Sequence, residues 1–144
     1  MQDLQELYQT IIMDHNKRPR HYGLLTDFTH SAEGYNPICG DKIELRVKLE
    51  AGRITAVGFE AACCAICKAS TSLMADVITA QNLAEVAEKR RAVDGYLSGN
   101  EAPASPATLQ DELSALSGVS QFPARIKCAQ LPWQTLAKAL KDSE

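Results

Sequence analysis

Cysteine is the residue with which this chain can do most chemistry. It has five: Cys39, Cys63, Cys64, Cys67 and Cys128. The number is odd, so disulfide pairing cannot use them all. In a reducing compartment such thiols are more often metal ligands or reactive groups than cross-links. Cys39 stands in the run Asn36-Pro37-Ile38-Cys39-Gly40-Asp41, where Pro37 and Gly40 shape a turn that holds the thiol outward. Asp41 adds a carboxylate two residues on. Cys63 and Cys64 precede a helical pattern, and unpaired N–H groups at a helix start stabilise a thiolate. Cys64 is the better placed of the two. Cys128 has Arg125 and Lys127 nearby in sequence, and cations favour a thiolate. A zinc site needs about four such ligands. Each residue also has a plainer reading: Cys39 as an idle loop thiol, Asp41 as a strand-entry residue bonding local amides, Cys128 as a small core hydrophobe.

Other chemistries find little support. Cys64-Ala65-Ile66-Cys67 has the CxxC spacing but follows a hairpin rather than standing in a βαβ unit, so it is weak as a redox motif. Cys67, about one turn into the helix, reads as core. His15, His21 and His30 show no HxxxH spacing and read as solvated or locally bonded side chains. No GxxxxGK[ST], GxGxxG or GxSxG occurs, so nucleotide, dinucleotide and serine-hydrolase chemistry are unsupported.

The elements that position these residues follow from periodicity. Leu4, Leu7, Tyr8, Ile11 and Ile12 recur at helical spacing, with Asp3 and Glu6 as a capping box and Pro19 beyond the end. The stretch 20–37 reads as loop with one short strand. Residues 43–49 alternate strictly between apolar and polar, and 54–59 are rich in β-formers. Ala51-Gly52 supplies the turn, giving a hairpin from Asp41 to Glu60. The period then switches to helical over 65–79. Asn82 and Glu85 cap a second helix over 83–98, which Ser98-Gly99-Asn100 ends. Residues 101–107 read as loop, and Thr108 caps a short helix ending at Gly118. Residues 120–141 form the last helix, with Trp133, Leu136 and Leu140 on one stripe. Pro132 should kink it, freeing the carbonyl of Cys128 and helping to aim that thiol. The fold class is therefore α+β: a small, mostly antiparallel three-stranded sheet with helices packed on one face.

A length of 144 residues predicts one domain, residues 1–144. The net charge of -3 provides no basic footprint for nucleic acid. No run of apolar residues is long enough for a membrane span. The N-terminus lacks the pattern of a secretory signal, so the chain reads as cytoplasmic.

At these residues the chain resembles the U-type iron–sulfur assembly proteins, the IscU/NifU N-terminal-like family, and within it the SufU branch. The likeness runs through LYQTIIMDHNKRPRHYG, NPICGDKIELRVKL, GFEAACCAICKASTSLM and LSGVSQFPARIKCAQLPW. It implies Cys39, Asp41, Cys64 and Cys128 as ligands of Zn²⁺, with Cys39 as the sulfur-accepting thiol. It also implies a SufU-type insertion around 95–117 and a supporting role for Arg125. Lys127 stands where the scaffold-type IscU branch has histidine, and no LPPVK-like chaperone motif occurs. Cys63 and Cys67 depart from the family, which commonly has small residues there, and either can compete with Cys64 for metal.

What the resemblance implies about function is a zinc-dependent sulfurtransferase. It takes persulfide sulfur from a SufS-type cysteine desulfurase, whose histidine displaces Cys39 from the metal. Sulfur then passes to downstream iron–sulfur assembly proteins. The alternative is a scaffold on which a [2Fe–2S] cluster is assembled and passed to apoproteins. No nucleic-acid or membrane partner is expected.

Overall fold

In the computed structural model, which describes residues 4–99 and 112–141, helix α1 (Leu4–Lys17) precedes an antiparallel sheet and a set of helices. The strands are β1 (His30–Asn36), β2 (Asp41–Glu50) and β3 (Arg53–Ala62), in spatial order β1-β2-β3. Then come α2 (Ala65–Ile78), α3 (Leu83–Ser98), a 3₁₀ segment (Glu112–Val119) and α4 (Pro123–Ala139). The expected α+β class and three-stranded sheet are what the chain adopts.

The hairpin forms as its pattern requires. Ile43, Leu45 and Val47 of β2 are buried, and Leu45 and Val47 pair with Phe59 and Val57 of β3. Both Ala51 and Gly52 have positive φ, 51° and 78°, which suits a tight two-residue hairpin turn. The pairing register slips once, so that Lys48 faces Ala56 while Leu49 faces Ile54. That extra residue in β3 puts Ile54 and Val57 on the same face although they are three apart, as a β-bulge does.

One face of the sheet joins the core, where Tyr8, Ile12, Leu73, Met74, Val93, Trp133 and Leu136 meet Leu45, Val47 and Phe59. The opposite face is crossed by residues 22–29. Arg46 donates to the carbonyl of Leu25 at 2.9 Å, and its guanidinium lies 4.5 Å from the centre of the Phe28 ring. Gly58 permits this crossing, because a Cβ there would run into the carbonyl of Gly23. On the core side Gly34 has the same role: a methyl group would overlap the Thr135 hydroxyl, so β1 and α4 approach closely only with glycine at 34.

Helix boundaries follow their caps. Asn82 and Glu85 form the expected reciprocal pair, at 2.8 and 3.0 Å, and Gly99 ends α3 with φ 79°. The Asp3 cap and the Thr108 helix start lie outside the described residues, as does much of the 95–117 insertion. What is described before Gly118 is 3₁₀ rather than α-helix, and α4 starts at Pro123, not residue 120. Proline suits a first helical turn, where its missing N–H would have no helical partner. His15 is neither solvated nor locally bonded: it is buried, and its Nδ1 lies 2.7 Å from the hydroxyl of Ser72 on α2. No helix among the described residues is long and apolar enough to cross a membrane.

Candidate metal centre

The β1–β2 turn places Cys39 at the surface. Asn36 pairs with Asp41 across its base, and the Gly40 N–H returns to the Asn36 carbonyl at 2.8 Å. Gly40 takes φ 74°, which glycine adopts without strain. Asn36 also works through its side chain. Its Oδ1 accepts the Ile38 N–H at 3.1 Å, and its amide nitrogen lies 3.5 Å from the Cys39 sulfur. The tip is therefore a shaped turn. Cys39 is exposed on it, flanked by Tyr35 at 62% exposure and Ile38 at 80%.

Asp41, the first residue of β2, is turned inward and is 3% exposed. Its Oδ1 accepts the backbone N–H of Cys64 at 3.0 Å. Its buried Oδ2 has no hydrogen-bond partner. A buried polar atom without a partner is costly, which points to a ligand at that position. Cys64 is the N-cap of α2, and its sulfur accepts the Cys67 N–H at 3.4 Å. This is the helix-start position that favours a thiolate.

Cys128 comes from the opposite side, on the first turns of α4, and is 3% exposed. Its sulfur lies 3.7 Å from that of Cys39 and 3.6 Å from the carbonyl oxygen of Ala124. Burial first, then Asp41, Cys64 and Cys39 beside it, push the Cys128 thiol above its usual range. A divalent cation reverses that tendency by binding the thiolate.

The structure thus brings Cys39, Asp41 and Cys128 together, with candidate donor atoms all within 4.8 Å of one another. Cys64 stands outside that trio but adjoins it, through the Asp41 hydrogen bond and through the thiol next to Cys128. Thiolate sulfur with one carboxylate oxygen is a donor set that suits Zn²⁺. Cys63 is half-buried and packs, like Cys64, against the small cluster that contains the fully buried Cys67. The Cys63 thiol first, and burial second, push Cys67 upward as well. Cys67 is core, as its position in the helix predicts. Arg125 lines a groove with Tyr8, Ile66 and Phe122, and Lys127 is exposed.

Two features went unread in the sequence. Asn36 organises the turn, for which Asn two residues before Ile38 was the available signal. Ser70, on α2, bonds α4 across the core, and a serine amid an apolar helical stripe was its only sign. Pro132 is as expected inside a helix, and α4 runs on past it to Ala139.

The family described as NifU-like N terminal domain matches residues 7–142. The "Zinc-dependent sulfurtransferase SufU" of Bacillus subtilis is 38% identical over 142 residues, covering 99% of this chain and 95% of that protein. The "Iron-sulfur cluster assembly scaffold protein IscU" of Streptococcus pyogenes is 37% identical, covering 97% of this chain and 86% of that one. Among solved structures, a putative iron–sulfur cluster assembly scaffold protein for the SUF system from Fervidobacterium islandicum superposes with a TM-score of 0.80 at 31% identity. That match covers 90% of this chain and 93% of the other.

Proposed function

This chain belongs to the family of NifU-like N-terminal domains, and from that premise we propose that it serves iron–sulfur cluster assembly as a zinc-dependent sulfur acceptor. Cys39, Asp41, Cys64 and Cys128 hold the metal. When bound, zinc keeps these thiols deprotonated at neutral pH without redox chemistry of its own. One observation carries the reading: within a cluster whose other close members are buried, Cys39 alone is exposed.

Exposure decides which thiol reacts. Asp41 and Cys128 are walled in by β2 and α4, whereas Cys39 stands on a turn tip that a donor persulfide can reach. The Cys39 thiolate attacks the outer sulfur of that persulfide. The donor's S–S bond breaks, a new S–S bond forms on Cys39, and the donor cysteine leaves as a thiolate. Charge and electron count are unchanged. Asn36 keeps the attacking sulfur on the turn, and exposed Tyr35 and Ile38 offer apolar surface beside it. A cysteine desulfurase of the SufS type supplies the persulfide, and iron–sulfur assembly proteins downstream receive the sulfur.

The S. pyogenes relative carries the word scaffold in its name, and cysteine thiolates also ligate clusters. On that second reading a [2Fe–2S] cluster is cargo on the same residues. Cysteine turnover by a SufS-type desulfurase, with and without the zinc-loaded protein under excess reductant, separates the two. A stimulation that disappears in Cys39→Ala supports sulfur acceptance. No stimulation by zinc-loaded protein, with that desulfurase bound to it, favours the scaffold.

A further inference from the structure

We infer that Ser70 is a positioning residue for this site: its hydroxyl pins the helix that carries Cys128 to the helix that starts at Cys64. The inference rests on the metal-site reading above and deepens it. Ser70 is fully buried on α2, two turns beyond Cys64. Its Oγ donates to the carbonyl of Ala129 at 2.7 Å. It also accepts from the indole nitrogen of Trp133 at 3.2 Å. Both partners are buried residues of α4, and Ala129 directly follows Cys128.

The pin sits beside a missing backbone hydrogen bond in α4. Pro132 has no N–H, so the carbonyl of Cys128 receives no helical bond from one turn ahead. Ala129 and Trp133 each directly follow one end of that gap, and the one hydroxyl holds both. Anchors about one turn apart fix a helix in rotation as well as along its axis: a step of one residue turns a helix by about 100° and would break both bonds. Apolar packing alone tolerates smaller slides, because dispersion contacts have little directionality. A hydroxyl that both donates and accepts does not. What depends on this register is the placement of the Cys128 sulfur, 3.7 Å from that of Cys39. Groups that orient metal ligands without touching the metal commonly change affinity by about 10- to 100-fold when removed.

The test compares the parent with Ser70→Ala, Ser70→Thr and Trp133→Phe. Zinc affinity is measured by chelator competition, metal geometry by the visible spectrum of the Co²⁺-substituted protein, and fold by circular dichroism and thermal unfolding. Ser70→Ala should lose about tenfold or more in zinc affinity and change the Co²⁺ spectrum. Trp133→Phe, which removes the indole N–H and also shrinks a buried core ring, should melt lower and move both in the same direction by less. Ser70→Thr keeps the hydroxyl but adds a methyl group to a fully buried position, so it should melt lower yet keep the parent's spectrum and affinity. Zinc affinity that follows melting temperature across the variants, rather than the hydroxyl, overturns the pin. So does a Ser70→Ala protein with the parent's affinity and spectrum. A parent that binds no zinc overturns the metal-site reading and this inference with it, whereas a zinc-binding parent unaffected by Ser70→Ala overturns the pin alone.

Discussion

Asp41 and Cys64, 23 residues apart in the chain, are joined by a single hydrogen bond from the Cys64 N–H to Oδ1 of the carboxylate, at 3.0 Å. The bond ties the start of β2 to the start of α2 and leaves Oδ2 buried and unpartnered. On the proposed metal site this one side chain has two tasks, and substitutions separate them. Asp41→Asn keeps an acceptor for the Cys64 N–H but removes the charge. It should raise the melting temperature of the metal-free protein, by relieving an unpaired buried acid, while lowering zinc affinity. Asp41→Ala should lower both, with about 1–3 kcal/mol lost from the metal-free fold. Thermal unfolding with and without zinc checks the opposite signs.

The adjacent thiols Cys63 and Cys64 are distinguishable by metal content. Cys64 is the helix N-cap next to Asp41, whereas Cys63 adjoins Cys67. Cys64→Ser should strip or severely weaken zinc, and Cys63→Ser should leave it bound. The reverse pattern, zinc lost in Cys63→Ser and kept in Cys64→Ser, read by elemental analysis after gel filtration, would place the site one residue off.

Raised thiols give the metal-free protein an alkaline weakness. Cys128 and Cys67 both bind their protons more tightly folded than unfolded, the first chiefly through burial and the second chiefly through its Cys63 neighbour. Their contribution to stability is full below the ordinary thiol value of about 9. It declines as pH rises past that value, because the unfolded chain then releases protons that the folded chain retains. Metal-free protein should therefore melt progressively lower above about pH 9, and Cys67→Ala should flatten that slope. A melting temperature independent of alkaline pH would contradict the assignment.

Gly34 sets the distance between β1 and α4. Gly34→Ala should cost about 1–3 kcal/mol, the usual range for overpacking a filled core, since Thr135 and Leu131 stand where the methyl group would go. Denaturant unfolding reads this directly. Because α4 carries Cys128, zinc affinity should fall in the same variant.

Legibility in the sequence tracked the range of the forces involved. The β2–β3 hairpin, the Asn82–Glu85 box and the Gly99 stop are local, and each was readable from a few consecutive residues. β1 was readable only as one short strand within 20–37. It is an edge strand whose buried position is a glycine, so no apolar alternation marks it. The 3₁₀ form of 112–119 was missed because a capping residue and an apolar run announce helix without specifying its pitch. At the site, Cys39 and Asp41 were legible as a pair. Their convergence with Cys128 depends on α4 crossing the sheet, which no window of sequence encodes. Ser70 was hidden for the same reason: both its partners lie about 60 residues away, and only the tertiary fold brings them near.

The closeness of Cys39 and Cys128 has a consequence for how the chain acquires its structure. They are 89 residues apart, and all of α2, α3 and the 3₁₀ segment intervene. The hairpin and the start of α2 can form from neighbouring stretches of chain, but Cys128 arrives only when α4 docks, and contacts of such wide sequence separation form late because their loop-closure entropy must be met first. On the proposed four-ligand site, a half-folded chain offers a passing metal ion Cys39, Asp41 and Cys64 without their fourth companion. Tight coordination would then be a certificate of completed folding, and a chain still on its way would hold a metal ion too loosely to be trapped by it.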